Sequence, residues 1–546
     1  MSSAKCLVAN WILLGHVTGL PAQTQSGSAS PREAGLISVN RVNTTTLTGK
    51  VMCGYQGWFA VPTDAINRGW YHYKQGNTLA PGSCKFDLWP DMSEMGSDEK
   101  YAAPGFSTAS GAQAYLFSSQ NRKTVVRHFQ WMQEYGIDGV FIQRFASEVR
   151  GSGLTQFNNV LENCRVGAKQ YGRTFAVMYD LSGLKLGQMS SVINDWMMLI
   201  DSKQITKDSA YQYHNGKPVV AVWGIGFNDG RQYTLKECET LIDFLKNDPK
   251  YGGCTVMIGV PTHWRTLDQD AVNDSLLLTI CRKADIVSPW FVGRPHTLDD
   301  INAHAQSVVI PDIAWCKSSG REYLPVVFPG FSWHNMNPDS PINMIPRLKG
   351  KFLWAQYYRY LAAGSTMIYQ AMFDEIDEAT AIFKCTNDPP VGLSRFVDYE
   401  GQPTDTYLWL VGQGGRMLRR ELPLSEALPM RSATGTGNRE GGRPQGVNLQ
   451  QNYPNPFSAG GGSAYGGNPT TAISYQLATD SFVTLRIFDV RGKSVATLVR
   501  ETQTEGYYKV TWDGMDELGV SVPSGVYLCS LQSGSYRVSQ KMLLIR

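Results

Sequence analysis

The sequence predicts an α/β protein, a (β/α)8 TIM barrel, followed by a small all-β immunoglobulin-like sandwich. Short β-like runs alternate eight times with helical segments between residues 48 and 431. A Gly-rich stretch then breaks the pattern, and short runs of alternating apolar and polar residues follow it. An open doubly wound sheet is the second choice, but it calls for a Gly-rich phosphate turn after the first strand, and residues 53–58 lack one.

The chain divides into five segments. Lys5 precedes an apolar run from Cys6 to Leu20 and a small-residue site at 21–23, which is typical of a cleaved export signal. A Ser/Thr/Gln-rich lead-in follows it, and a Gly/Arg-rich linker precedes the sandwich. The predicted segments are the signal peptide 1–22, the flexible lead-in 23–47, the barrel 48–431, the linker 432–450 and the sandwich 451–546.

The predicted strands are short apolar runs bounded by turn residues. In the barrel they are 51–55, 139–143, 174–179, 218–223, 255–260, 286–288, 324–328 and 365–372. In the sandwich they are 471–477, 482–488, 507–512 and 525–531. Segments 124–135 and 235–245 have apolar residues three and four apart, which predicts amphipathic helices.

Composition argues against several classes of protein. The net charge is only +3, from 50 basic and 47 acidic side chains, so no nucleic-acid partner is expected. After the export signal no apolar run reaches the ~18 residues of a membrane span. The cysteines form no CxxC pair and the histidines no HExxH spacing, so neither a metal site nor any other cofactor is expected.

The main chemical feature is a cluster of acids after the last predicted barrel strand. Asp374, Glu375, Asp377 and Glu378 follow the apolar run 367–372, and catalytic groups of barrels lie at such strand ends. In a helical turn, Glu375 and Glu378 would have roots about 5–6 Å apart, close to the ~5–5.5 Å between the two carboxyl groups of retaining glycosidases. Mutual repulsion would keep one of them protonated. An acidic helix N-terminus remains an equal alternative.

Aromatic and polar residues near the predicted strand ends and loops suit a sugar, whose C–H faces stack on rings and whose hydroxyl groups need fixed partners. Each aromatic taken singly is more often a core residue. The residues predicted to bind substrate are Tyr55, Trp58, Trp89, Asp91, Arg144, Tyr179, Asp180, Trp223, Trp264, Trp290, Arg294, Trp333, His334 and Asp374.

Several barrel segments resemble the bacterial branch of glycoside hydrolase families 99 and 71. The Glu-x-x-Glu segment 372–380 carries the resemblance, together with segments 54–59, 89–94, 135–141, 178–183, 289–294 and 329–335. It implies an endo-acting enzyme on α-mannosides or on α-1,3-glucan. Glu375 would be the base that assists attack by the sugar's own 2-hydroxyl, and Glu378 the general acid. Ile376 and Asp377 stand where family 99 usually has Trp and His.

The C-terminal segment resembles a type IX secretion sorting domain. The matching stretches are 452–457, 468–475, 487–492, 512–514 and 523–527, with a Gly-rich insertion at 458–467. The resemblance implies recognition by the type IX secretion machinery and a protein that is secreted or attached to the outer-membrane surface after export through the periplasm. A carbohydrate-binding sandwich is the alternative.

The sequence therefore predicts an exported retaining endo-glycosidase that hydrolyses α-linked glycans, α-mannosides first, with Glu375 and Glu378 as its catalytic pair. Its partners would be a polysaccharide or glycan substrate and the secretion machinery. The alternatives are an endo-α-1,3-glucanase and a non-catalytic surface protein that binds glycans.

Overall fold

The structure is a computed structural model. It describes residues 41–151, 153–431, 447–449, 451–452, 455–458, 470–477, 479–504, 506–534 and 536–545. The predicted signal peptide 1–22, most of the lead-in 23–47 and most of the linker 432–450 lie outside the described residues.

Eight parallel strands lie in the first part of the chain, and at least one helix follows each of them. The strands are β1 (Val51–Tyr55), β2 (Gly139–Phe145), β3 (Thr174–Asp180), β4 (Lys217–Trp223), β5 (Thr255–Val260), β6 (Ile286–Pro289), β7 (two pieces, Glu322–Tyr323 and Val326–Val327) and β8 (Ile368–Gln370). The helices are α1 (Arg122–Tyr135), α2 (Leu154–Tyr171), α3 (Ser190–Asp201), α4 (Leu235–Asn247), α5 (Leu276–Lys283), α6 (Leu298–His304), α7 (Ile310–Ser318), α8 (Lys351–Ala362) and α9 (Thr406–Leu418).

The sheet closes on itself through β7. The first piece of β7 pairs with β6 and its second piece with β8, while β8 pairs in parallel with β1. The remaining neighbours follow chain order from β1 to β6. This arrangement confirms the predicted (β/α)8 barrel, and it brings the carboxyl ends of all eight strands to one face.

Helix α1 shows how the amphipathic pattern places these helices. The Asn121 side chain accepts a hydrogen bond from the backbone N–H of Lys123 at the start of α1, and Gly136 ends the helix with a φ of 74°. Val125, Phe129 and Met132 are buried and lie on one face of the helix. The helix begins two residues before the predicted start and ends at the predicted residue.

The connection from β1 to α1, residues 56–121, is a long excursion that the sequence did not predict in detail. It contains an antiparallel hairpin of Tyr101–Ser107 with Gln113–Leu116. Only every second or third residue of this hairpin is buried, so it lacks the apolar run on which the strand predictions relied. Gln56 and His72 lie in this excursion and contact residues that follow β8, and Trp58 stacks on His72.

The C-terminal part is the predicted all-β sandwich. One sheet contains Asn448–Leu449, Thr471–Leu477 and Gly506–Trp512, and the other contains Phe457–Ser458, Ser481–Asp489, Ser494–Gln503, Gly525–Ser533 and Tyr536–Ile545. Ile473, Tyr475 and Leu477 alternate into its core. The strands Ser494–Gln503 and Tyr536–Ile545 were missed, and only two residues of each are buried.

Two features of the described residues concern cysteines and membranes. The nine cysteines among them are buried and none is in a disulfide. Among the helices described, none combines the length and the apolar composition that a bilayer span requires.

Candidate active site

Strand β8 leads directly into a loop, residues 371–383, that carries four carboxyl groups. The loop is built from turns, so the helical turn expected after β8 does not form, and Ala379 has a left-handed φ of 52°. The backbone N–H of Ala381 donates to the Glu375 carbonyl at 2.8 Å. The guanidinium of Arg347 donates to the carbonyls of Ala379 and Ala381, both at 2.8 Å. These bonds fix the loop at the mouth of the barrel.

Asp374 attaches this loop to the end of β1. Its two carboxylate oxygens accept hydrogen bonds from the backbone N–H groups of Gln56 (2.8 Å) and Gly57 (2.9 Å). Gly57 adopts a φ of 60°, and a Cβ there would lie 2.5 Å from Val160. Asp374 is fully buried. In this structure Asp374 holds the loop to the end of β1, and its predicted contact with substrate stays a prediction that the structure does not support.

Glu375 is buried, and two side chains donate hydrogen bonds to its carboxyl oxygens. Gln56 Nε2 donates to Oε1 at 2.6 Å, and the Thr380 hydroxyl donates to Oε2 at 2.6 Å. The pKa of Glu375 is raised to about 8, by burial first and then by the charge of Asp377, and the two donors oppose that rise. An acceptor that holds two donors is suited to act as a base.

Glu378 lies in the opposite surroundings. Within the described part of the chain no group donates a hydrogen bond to its carboxyl oxygens, while the backbone N–H of Ser332 binds its carbonyl at 3.0 Å. Burial, then the charges of Glu375 and Asp377, raise the pKa of Glu378 well above its usual value. This direction favours the protonated form of Glu378, which suits a general acid.

Two aromatic groups line the mouth on the side of β4 and β6. The Trp290 ring meets Trp223 edge-on at 5.4 Å and Tyr369 edge-on at 6.1 Å, between ring centroids. The guanidinium of Arg231 lies 5.0 Å from the Trp223 ring. Trp223 and Trp290 are only partly buried, so ring surface remains for the C–H face of a sugar.

Several polar atoms near the mouth are buried without a partner among the described residues. They are the indole N–H groups of Trp58, Trp223 and Trp333 and the side-chain carbonyl oxygens of Gln56 and Gln143. Buried donors and acceptors of proteins are otherwise nearly always paired. These groups suit a ligand that carries many hydroxyl groups, which both donate and accept.

Two predicted ligands on β2 and β3 face away from the barrel interior. The Arg144 guanidinium forms a bidentate ion pair with Asp195 of α3, through Nε at 2.7 Å and through Nη2. The Tyr179 hydroxyl donates to the same carboxylate at 2.7 Å. Arg144 and Tyr179 are fully buried. They hold α3 against the sheet, and their predicted contact with substrate stays a prediction that the structure does not support.

Three predicted aromatic ligands belong to the core. The side chains of Tyr55, Trp89 and Trp264 are 0%, 3% and 0% exposed. The Tyr55 hydroxyl lies 2.9 Å from His128 Nδ1. The indole N–H groups of Trp89 and Trp264 donate to the Tyr115 carbonyl and the Asp312 carboxylate, respectively. All three side chains thus pack in the core, and their predicted contact with substrate stays a prediction that the structure does not support.

The remaining polar candidates have local partners. Asp180 is partly buried and accepts from the backbone N–H of Ser182 at 2.7 Å, and burial raises its pKa. Asp91 accepts from the backbone N–H of Ser93, which caps a turn.

The last two predicted ligands, Arg294 and His334, lie in loops. Arg294 forms an ion pair with Asp270 at 3.1 Å on the surface. The backbone N–H of His334 donates to the buried carboxylate of Asp87 at 2.7 Å, and its Nδ1 lies 2.8 Å from the Ser340 carbonyl. Trp58, Asp180, Trp223, Trp290, Trp333 and His334 thus remain as candidate ligands.

Sequence reasoning missed residues that decide the chemistry of the site. Gln56 and Thr380 hold Glu375, and His72 contacts Asp377. A polar residue directly after a buried strand could have indicated Gln56, but His72 lies in no motif. No group of three His, Cys, Asp or Glu side chains in the described ranges is placed to hold a metal ion.

Comparisons with known proteins bear on both parts of the chain. The model of the FlgD Ig-like domain matches residues 463–536. No curated protein matches the chain.

Solved structures are similar to it at low identity. The GH99 endo-α-mannosidase from Bacteroides thetaiotaomicron is 16% identical, covers 69% of this chain and 99% of its own, and has a TM-score of 0.51. A glycoside hydrolase-like protein is 11% identical, with coverages of 63% and 95% and a TM-score of 0.41. PorZ of Porphyromonas gingivalis, a surface component of the type IX secretion system, is 21% identical over 18% of this chain and 12% of its own (TM-score 0.14). The first of these likenesses shows the barrel fold.

Proposed function

We propose that the barrel is a glycoside hydrolase in which Glu378 is the general acid and Glu375 the base. The observation that carries this proposal is the contrast between the two carboxyl groups. Glu375 accepts hydrogen bonds from Gln56 and Thr380, whereas Glu378 has no donor among the described residues, and burial and neighbouring charges raise the pKa of both groups. Two neighbouring carboxyl groups in different surroundings, one of which ionises before the other, are what hydrolysis of a glycosidic bond needs.

The proposed substrate is an α-linked glycan, with α-mannosides as the first choice. Three observations support it: the Glu-x-x-Glu segment, the aromatic mouth of the barrel, and the likeness in fold to a protein named as an endo-α-mannosidase. Glu378 would protonate the oxygen of the leaving sugar. Glu375 would take the proton of the sugar's own 2-hydroxyl as that oxygen attacks the anomeric carbon, and water would then open the intermediate with retention.

The test is a digest of a panel of glycans, with mannan and α-1,3-glucan side by side, followed by NMR of the anomeric proton of the first product. We expect the wild type to release oligosaccharides with retained configuration. Glu375→Gln and Glu378→Gln should each lower the rate at least ~100-fold, while the exposed Glu134→Gln should not. Binding of a glycan without hydrolysis would contradict the proposal and favour a glycan-binding protein.

We propose further that the C-terminal sandwich is a sorting domain for type IX secretion and that residues 1–22 are a cleaved export signal. The quoted sorting motifs and the immunoglobulin-like fold of the sandwich support this. The mature protein would be secreted or attached to the outer-membrane surface. Deletion of residues 451–546 in a bacterium with this secretion system should leave the barrel in the periplasm, as fractionation would show. Normal surface delivery of the shortened chain would contradict it.

A further inference from the structure

We propose that Asp377 is a positioning residue whose negative charge, held in place by His72, keeps Glu378 in its acid form. The inference rests on the proposed function in that Glu378 acts as the acid. The protonation of Glu378 itself is measurable without any substrate. The contacts of Asp377, of His72 and of their charged neighbours carry the inference.

Asp377 is a buried carboxylate between the two glutamates in sequence. Asp377 is only 2% exposed. Oδ2 lies 3.3 Å from His72 Nδ1, and Oδ1 has no hydrogen-bond partner among the described residues. A buried carboxylate with one free oxygen is costly to the fold. Such a charge is retained where it affects a neighbouring group.

His72 is placed to orient that carboxylate. Its ring stacks on Trp58 with centroids 3.8 Å apart and planes 8° apart, and its backbone has a left-handed φ of 64°. Burial, and then the Lys85 charge, lower the pKa of His72 to about 3. The imidazole is therefore neutral at physiological pH and has one N–H to offer. With Nδ1–H as that donor, His72 holds Asp377 without cancelling its charge.

Charged groups from several elements face Asp377. The pKa of Asp377 is raised to about 7, by burial first and also by the charge of Asp87, while its own backbone N–H, that of Glu378 and the Lys85 ammonium favour the ionised form. Asp87 is itself held by the Ser332 hydroxyl at 2.5 Å and by two backbone N–H groups.

Of the four carboxyl groups of the loop, Glu378 is the one with the fewest hydrogen-bond donors among the described residues. Asp374 and Glu375 each accept two hydrogen bonds, and Asp377 has His72, the Lys85 charge and nearby N–H groups. Glu378 has none of these and lies beside the charges of Glu375 and Asp377. In a coupled group the proton stays where donors are fewest. The Asp377 charge thus favours the protonated form of Glu378. It also favours the return of a proton to Glu378 after the acid has donated one.

The direct test is the titration of Glu378 in the full chain by 13C NMR of side-chain carboxyl groups, with Glu378→Gln identifying the signal. Asp377→Asn keeps the shape and removes the charge, so we expect the pKa of Glu378 to fall by about one unit or more. Asp388→Asn removes an exposed charge from the same stretch of chain and should leave it unchanged. An unchanged Glu378 pKa in folded Asp377→Asn would overturn the inference.

A second variant, His72→Asn, tests the same inference if Asp377→Asn does not fold. Asn tolerates the left-handed backbone at position 72, and His72→Asn removes the stacked ring that orients Asp377. The Glu378 pKa should then fall by less than in Asp377→Asn, and no fall would overturn the role of His72. In the digest, Asp377→Asn should also move the alkaline limb of the kcat/KM profile to lower pH, since the acid loses its proton earlier. If the wild type cleaves no glycan, the proposed function fails while the titration still decides this inference.

Discussion

Two polar side chains, those of Thr380 and Gln56, stabilise the ionised form of Glu375. The Thr380 hydroxyl and the Gln56 amide each donate to one carboxylate oxygen at 2.6 Å. Both contacts stabilise the ionised form against the burial that raises the pKa of Glu375 to about 8. The charge of Glu375 depends on a few neighbouring atoms, so a single substitution of a donor should change the pKa of Glu375.

Thr380→Val should raise the pKa of Glu375, because it removes one donor to the ionised form and keeps the side-chain shape. A base must be ionised to act, so the acidic limb of the kcat/KM profile should move up by up to about one pH unit. The Thr380→Val variant should be slower than the wild type at low pH and equally fast at high pH. Measurement of kcat/KM from pH 5 to 10 on a glycan that the wild type cleaves checks this. Thr240→Val, on the exposed side of α4, is the control. A uniform loss at every pH would show that Thr380 acts through packing instead.

The site depends on the contact between strand β1 and the loop after β8, residues 371–383. Gly54 faces that loop, and a Cβ there would lie 2.2 Å from both Met372 Cε and the Tyr369 hydroxyl. Asp374 binds the backbone just beyond Gly54. The glycine is thus required by the close approach of β1 to β8, which the sequence alone does not reveal.

Gly54→Ala should destabilise the barrel by about 1–3 kcal/mol, since the side chains of β8 must shift to admit a methyl group. Urea unfolding followed by tryptophan fluorescence measures the change. Gly151→Ala is the matched control, because a Cβ at this exposed position meets nothing within 4 Å. A Gly54→Ala protein as stable as the control would contradict the packing described for β1.

Strand positions were predictable where burial is continuous. The prediction for β5, Thr255–Val260, agrees with the structure at both ends, and all six residues are buried. The predicted strand 365–372 is observed only over Ile368–Gln370, because the loop after β8 is apolar as well. The hairpin in the excursion was missed because it alternates irregularly between core and solvent.

On the scale of the whole molecule, the described residues form two separate hydrophobic cores. One extends from Leu47 to Met417 and the other from Leu449 to Leu544. Leu161 is fully buried in the first and Leu485 in the second. Each domain therefore has its own source of stability.

Calorimetry of the full chain should accordingly show two unfolding transitions. Leu485→Ala should lower only the sandwich transition and Leu161→Ala only the barrel transition, each by about 2–5 kcal/mol of unfolding free energy. The two variants serve as controls for one another. A single transition lowered equally by both would contradict the independence of the cores.

The sequence by itself determined the barrel, the sandwich and the position of the four acids after β8, because apolar periodicity and the order of elements are local properties of the chain. Only the tertiary structure decided which acid keeps a proton. Gln56 and His72 reach the acids across some 300 positions of the chain, and a carboxyl's protonation depends on what surrounds it in space. For the same reason Arg144, Tyr179 and Trp264 lie at strand ends or in loops as predicted, yet their side chains pack away from the mouth.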